Sequence, residues 1–154
     1  ANDNDEDGSQ YEPHHERITR EEQVQVYEAI MAGPDGEVTT GLLTAVEFVK
    51  DNRILPRGFN KAAAGEDIAV QGRADSDGDF QGGGDRTTYA VDVGDADGPF
   101  HIQVELWYQP IAYRWAQNLQ SYDTPETNRF SGYYSEMSDR SGVILATGTV
   151  TVNP

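Results

Sequence analysis

Residues 87–108 read TTYAVDVGDADGPFHIQVELWY, and this stretch decides the fold that the sequence predicts. Apolar and polar residues alternate over 87–93 and again over 100–108, which is the period of a half-buried strand. Residues 94–99 between them are rich in Gly, Asp and Pro, the residues that favour turns. We therefore predict an antiparallel hairpin whose apolar faces are aligned, with Tyr89 and Leu106 pointing into a core.

Other elements are predicted on both sides of this stretch. Further strands are expected at residues 23–31, 68–74 and 143–152. Helical spacing of apolar residues predicts a helix over 111–122, and Thr124-Pro125-Glu126 is a start signal for a second helix that ends near Met137. Residues 41–52 fit a helix or a strand, and we assign them to a helix. The predicted fold is mainly β: an antiparallel, immunoglobulin-like β-sandwich with two or three helical insertions.

The length of 154 residues predicts one folded domain, which an acidic N-terminal segment precedes. Residues 1–13 are acidic, lack lysine and arginine, and contain almost nothing to bury, so we expect a disordered segment there. The folded domain is then expected to occupy 14–154. No apolar stretch is long enough to span a bilayer, so no membrane insertion is expected.

The charge of the chain restricts the classes of partner. It has 27 acidic and 11 basic residues, for a formal net charge of −16. A field of this sign repels phosphate backbones and anionic lipids, so nucleic-acid binding is not expected. A halophilic protein is one explanation of the charge, because salt screens the repulsion, and plain solubility is the other.

Motifs for catalysis are missing from the sequence. There is no cysteine, which excludes thiolate chemistry and covalent haem attachment by this chain. There is no GxSxG motif, and with 27 acids the spacing of carboxylates carries no information. We predict that the chain is not an enzyme, and a hydrolase that uses an acid pair is the weakest alternative.

Residues 75–85, DSDGDFQGGGD, are the best candidate for an ion site. Hard cations such as calcium take six to eight oxygen ligands, which alternating aspartates supply. The segment is not an EF-hand, because Phe80 stands where glycine is needed and Arg86 where a glutamate belongs. Calcium is therefore a candidate cofactor, and a solvated acidic turn is the alternative. The expected ligands are Asp75, Asp77, Asp79 and Asp85.

Histidines and exposed aromatic residues supply the remaining candidates. His14 and His15 are neighbours on an extended segment, so they point to opposite sides, and each is a candidate ligand of a metal or a haem held elsewhere. Helical and strand spacing assign most aromatic residues to a core and leave Trp107 and Tyr113 as candidates for stacking on sugar rings. The segment 50–59, with Arg53, Arg57 and Phe59, mixes cations with apolar side chains and is the expected protein contact.

Three segments carry a resemblance to a known family: QVQVYEAIM at 23–31, KDNRILPRGF at 50–59 and YRWAQNL at 113–119. Over about residues 14–152 the chain resembles the haem-free C-terminal region of secreted bacterial proteins related to multihaem c-type cytochromes. The CxxCH motifs of such proteins precede this region and do not occur here, so the resemblance implies no redox activity. It implies an extracytoplasmic, periplasmic or secreted, setting. It also makes His14 or His15 a candidate distal haem ligand.

Together these observations predict a non-catalytic accessory or interaction domain. Its expected partner is a larger redox or surface protein related to multihaem cytochromes. Calcium is a candidate stabilising ion of this domain. The alternative is a carbohydrate-binding module that uses exposed aromatic residues. Glycan binding separates the two.

Overall fold

The computed structural model describes residues 10–153, and its contacts divide the chain into two compact units, Ala1–Val91 and Asp92–Pro154. We call these the N-terminal unit and the C-terminal unit and describe each by itself. Residues 1–9 of the predicted disordered segment lie outside the described residues. Glu12 and Pro13 are buried, so the folded part includes residues before His14.

Short strands build the N-terminal unit. Strands β2 (Ala29–Ala32), β3 (Val38–Thr39) and β4 (Glu47–Asp51) form an antiparallel sheet in the order β3-β2-β4. A turn joins β2 to β3, and Gly36 in it takes a positive φ of 81°. Strands β1 (Arg17–Ile18) and β5 (Thr88–Tyr89) pair in parallel, and helix α1 spans Arg73–Ser76. Phe80, Val70 and Ala74 form a small apolar core that Tyr27 and Leu55 border.

The C-terminal unit contains one long ribbon and two helices. Strand β6 (Phe100–Tyr108) pairs antiparallel with β7 (Val143–Val152), and the register shifts between Leu106 and Trp107. Helix α2 (Tyr113–Gln120) packs on helix α3 (Pro125–Ser141). Thr124 caps α3 by accepting a hydrogen bond from the Thr127 amide, and Pro125 opens it. The predictions of both helices and of the strand over 143–152 are confirmed.

The predicted immunoglobulin-like β-sandwich is wrong. The sheets have two or three strands each, and no sandwich is formed by the described residues. The predicted hairpin does not exist either, since β6 pairs with β7 and only Thr88–Tyr89 of the first predicted strand is extended. Tyr89 and Leu106, which we expected in a core, are 55% and 37% exposed. The alternation over residues 100–108 predicted the two faces of β6, but it did not specify which strand pairs with which.

Three smaller predictions also change. Residues 41–52 contain strand β4 and not a helix, so the β-branched and aromatic residues of this segment decided its structure. The predicted strand over 68–74 reduces to a bridge between Asp51 and Gln71, followed by α1. Of the region around 23–31, only Ala29–Ala32 forms a strand. The Val26 carbonyl accepts hydrogen bonds from the Lys50 and Asn52 side chains and not from a neighbouring strand.

Candidate functional site

A buried polar network in the N-terminal unit contains the residues with the most chemistry. His14, Asp77 and Asp85 lie together, with one ligand atom of each within 4.8 Å of the others. His14 Nε2 is 3.0 Å from Asp77 Oδ2 and 3.9 Å from Asp85 Oδ2. The His14 side chain is 0% exposed, and its ring packs edge-on against Phe80 at a centroid distance of 5.1 Å. The sequence named all three residues, although not as one group.

The tautomer of His14 follows from its neighbours. Gln25 Nε2 donates to His14 Nδ1 at 2.9 Å, and Asn52 Nδ2 donates to the same atom at 3.0 Å. Both amides are held in this orientation, because Gln25 Oε1 accepts from the His15 amide and Asn52 Oδ1 accepts from the Glu28 amide. Nδ1 is therefore an acceptor, and the proton of the neutral ring is on Nε2, where it is donated to Asp77.

His14, Asp77 and Asp85 have the ligand-atom spacing of a possible metal site, but in the described arrangement these groups are already hydrogen bonded. A cation bound to His14 Nε2 would move the ring proton to Nδ1, where two N–H donors already point. The carboxylates are also engaged. Asp77 accepts hydrogen bonds from His14 and the Asp79 amide, and Asp85 accepts from Tyr27 and the Arg86 amide. Calcium needs six to eight oxygens, and this pair of carboxylates supplies too few.

The other predicted calcium ligands lie outside the network. Asp75 is on α1 and is exposed, and Asp79 is exposed with an ion pair to Arg86 at 3.8 Å. The four aspartates therefore do not converge, since only Asp77 and Asp85 point inward. Of the four predicted ligands, Asp77 and Asp85 therefore lie in the buried network, and Asp75 and Asp79 face solvent.

Hydrogen bonds and burial shift the pKa values of two network members. Burial acts to raise the pKa of Asp77, but hydrogen bonds from His14 and from the backbone of Asp79 outweigh it and bring the pKa below its usual value. Burial and the 2.6 Å hydrogen bond to Asp85 raise the pKa of Tyr27 to about 12. Both shifts favour the protonation states that the network contains at neutral pH.

In both candidate haem ligands, His14 and His15, the Nε2 atom is already hydrogen bonded. His14 Nε2 is hydrogen bonded to Asp77, and His15 Nε2 is hydrogen bonded to Glu12 Oε2 at 2.8 Å. Both imidazoles are buried. Ligation of a haem by either residue would therefore require that a buried hydrogen bond break.

Lys50 corrects the predicted protein contact. It is 1% exposed, and its Nζ donates to Glu12 O, Val26 O and Glu28 Oε1 at 2.7, 2.9 and 3.0 Å. Burial lowers the pKa of Lys50, and the Glu28 carboxylate opposes this shift. Arg53, Ile54, Pro56, Arg57 and Gly58 are the exposed residues of the segment, and Phe59 is half-buried. The Arg53 guanidinium is paired with Asp51. Lys50 is therefore a structural cation and not a contact residue.

The ribbon of the C-terminal unit has two unlike faces. One face is apolar. Five of its residues are each between 37% and 53% exposed, and Phe100 is less exposed than these. Its members are cross-strand pairs or near neighbours: Phe100, Ile102, Val104, Leu106, Val150 and Val152. The opposite face pairs His101 with Thr151, Gln103 with Thr149 and Glu105 with Thr147. Trp107 follows on the polar face, and its Nε1 donates to Glu105 at 2.8 Å.

The two aromatic candidates for sugar stacking differ in environment. Trp107 is 52% exposed and lies on the ribbon. Tyr113 begins α2, is only half-exposed, and has the Arg114 guanidinium 6.0 Å from its ring centre. Sequence reasoning missed Gln103, Glu105, Thr149 and Thr151, which share the face of Trp107. Their alternation with the apolar residues of β6 and β7 was the available signal.

Comparison of the chain with protein-family models, with characterised proteins and with solved structures gave no match. The resemblance to cytochrome-related proteins therefore stays a prediction. Within residues 10–153, no helix combines the length and the apolar character needed to cross a bilayer, which agrees with the expectation from the sequence.

Proposed function

We propose that the chain is a non-catalytic interaction domain and that it associates with a second copy of itself through the apolar face of the β6–β7 ribbon. The observation that carries this proposal is the exposure of that face. A two-stranded ribbon is marginal in water unless another layer covers its apolar side. In the described part of the C-terminal unit α2 and α3 pack on each other, and five residues of the apolar face stay 37–53% exposed.

The shape of the face supports a symmetric partner. Large residues of β6 stand opposite small residues of β7: Val104 faces Gly148, and Leu106 faces Ala146. At the other end Phe100 and Ile102 face Val152 and Val150, so the step from a raised β6 to a lowered β7 lies along residues 104–106 of β6. A two-fold rotation about an axis parallel to the strands places the raised strand of one copy over the lowered strand of the other, which is the self-complementarity that a closed dimer requires.

Charge supports the same conclusion. The apolar face contains no ionisable side chain, although the chain as a whole has a net charge of −16. Two copies repel each other over a distance, but this repulsion is screened within about 8–10 Å at physiological salt. Association through this face should therefore become stronger as salt is added.

The test is sedimentation velocity over a wide range of protein and salt concentration. We expect a monomer–dimer equilibrium that shifts towards dimer with salt. Ile102→Asp should remove the dimer, because it places a charge within the apolar face. Gln103→Asp is the matched control, since it adds the same charge to the next residue on the opposite face, and it should leave the dimer intact. A wild-type protein that stays monomeric throughout, or equal effects of both variants, would contradict the proposal.

The expected association with a larger redox or surface protein, and the extracytoplasmic setting, remain predictions that depend on the resemblance. If a different protein covers this face, Ile102→Asp will not change the sedimentation of the isolated chain. Unchanged sedimentation of Ile102→Asp would therefore reject a second copy as the occupant of this face.

A further inference from the structure

The polar face of the ribbon forms a shallow groove. It is lined by His101, Gln103, Thr149 and Thr151 together with Ile102 and Val150, and its volume is about 370 Å³. His101 Nδ1 and Thr151 Oγ1 share a hydrogen bond of 3.0 Å across the strands. Its four polar lining residues lie on the ribbon face opposite the one proposed for self-association, whereas Ile102 and Val150 belong to the apolar face.

A hydrogen-bonded row continues from the groove to an exposed indole. Gln103 Nε2 donates to Glu105 Oε1 at 2.6 Å, and Trp107 Nε1 donates to Glu105 Oε2 at 2.8 Å. One carboxylate therefore orients both the amide and the indole. Gly142 lies beneath the indole, since a Cβ placed there would be 3.0 Å from Trp107 Cε3. The exposed indole is thus held in position before any ligand arrives.

From this arrangement we infer that the polar face of the ribbon, from His101 to Trp107, binds a neutral carbohydrate chain. Threonine hydroxyls and the glutamine amide both donate and accept hydrogen bonds, which suits the hydroxyl groups of sugars. A held, half-exposed indole offers an apolar surface on which the C–H face of a sugar ring can stack. The open shape of the groove suits a chain lying across it rather than an enclosed small molecule.

Charge selects the neutral class of carbohydrate. Neither β6 nor β7 contains a lysine or arginine, and Glu105 is the one acidic residue of the two strands. An anionic polysaccharide would meet a chain of net charge −16 with no cation on this face. The row extends for about 20 Å from residue 101 to residue 107 at the usual rise of a strand. This length favours an oligosaccharide over a single sugar.

The test uses affinity electrophoresis of the full chain in gels that contain hydroxyethyl cellulose, xylan, glucomannan or laminarin, with alginate as the anionic comparison. We expect retardation by at least one neutral polymer and none by alginate. Trp107→Ala should weaken that binding about tenfold or more, as for a central aromatic contact. Tyr108→Ala is the matched control, because Tyr108 is an equally exposed aromatic residue at the next position of the strand.

Two further variants separate positioning from contact. Gly142→Ala keeps the indole but displaces it, and it should weaken binding while Trp107 remains in the chain. In a Trp115→Phe background, Trp107 is the sole tryptophan, so a change of its fluorescence on titration with the bound polymer reports contact directly. No retardation by any neutral polymer, binding of alginate alone, or equal loss in Trp107→Ala and Tyr108→Ala would overturn the inference.

Discussion

The N-terminal unit buries polar groups, whereas the C-terminal unit exposes apolar ones. In the first, Lys50, Asn52, His14 and Asp77 are buried, and each makes hydrogen bonds. In the second, Ala116 is the one fully buried residue of the described part, and the ribbon presents an apolar face to solvent. The N-terminal unit therefore has a hydrogen-bonded polar interior, whereas the C-terminal unit has an apolar face that a further layer would cover.

This difference separates residues that stabilise the chain from residues that bind. A buried polar group that loses its partner is costly, so changes in the N-terminal network should lower the free energy of unfolding. A half-exposed apolar residue loses little contact when it is changed, so substitutions on the ribbon should alter association more than stability. The predictions below test this division.

The largest expected effect is that of Lys50→Met. The variant keeps the length of the side chain but leaves Glu12 O, Val26 O and Glu28 Oε1 without their donor. We expect a loss of about 3–5 kcal/mol in the free energy of unfolding, measured by urea denaturation, because one member of a buried ion pair is removed. Arg20→Met, at an exposed ion pair with Glu22, should cost at most about 1 kcal/mol. Similar losses in both would show that Lys50 is not buried as described.

A smaller effect is expected of Asp77→Asn. The amide of asparagine cannot accept at both of its ends, so either the His14 Nε2–H or the Asp79 amide loses its acceptor. The expected loss is about 1–3 kcal/mol, by the same method. Asp79→Asn is the matched control two residues away on the surface, and its effect should be within about 0.5 kcal/mol.

The free energy of unfolding should fall at acid pH because of Asp77 and at alkaline pH because of Tyr27. Because the pKa of Asp77 is lowered in the folded state, its contribution is present above about pH 4 and is lost as pH falls through the folded value. Because the pKa of Tyr27 is raised to about 12, its contribution is present below about pH 10 and is lost as pH rises from there. Urea midpoints between pH 9 and about 12 should fall less steeply in Tyr27→Phe than in the wild type. Identical slopes would contradict the assignment.

The smallest expected effect is that of divalent cations. Calcium or zinc should leave the unfolding temperature unchanged, because His14 Nδ1 accepts two hydrogen bonds and the carboxylates of Asp77 and Asp85 accept others. Differential scanning calorimetry with added cation and with a chelator checks this. A rise in unfolding temperature that saturates with cation concentration would show that the network opens to hold an ion.

The sequence predicted local structure better than partnership. The cap at Thr124, the helix that follows it and the two faces of β6 depend on neighbouring residues, and they are confirmed. Strand pairing depends on segments far apart in the chain, so the hairpin and the sandwich built on it were wrong. Alternation states that a face is apolar, but it does not state what covers that face.

The polar network was predictable only in part. His14, Asp77 and Asp85 were recognised as chemically capable residues, but His14 and Asp77 are 63 positions apart, and no local rule brings them together. Lys50 and Asn52 gave no signal, because charged and amide side chains are usually found at the surface. Their burial depends on backbone carbonyls and amides that only the folded chain provides.

The central claim is that the apolar face of the ribbon is an interface between two copies, and a cysteine cross-link tests it most directly. The chain has no cysteine, so Val104→Cys places a single thiol at the middle of this face, and Gln103→Cys places one at the adjacent position of the opposite face. Because Val104 of one copy would lie over Gly148 of the other, the two thiols are offset, and a bismaleimide that spans about 10 Å, the spacing of packed sheets, is used to join them. We expect a covalent dimer from Val104→Cys at protein concentrations at which Gln103→Cys stays monomeric. Equal cross-linking of the two variants, or none from Val104→Cys, would contradict the account.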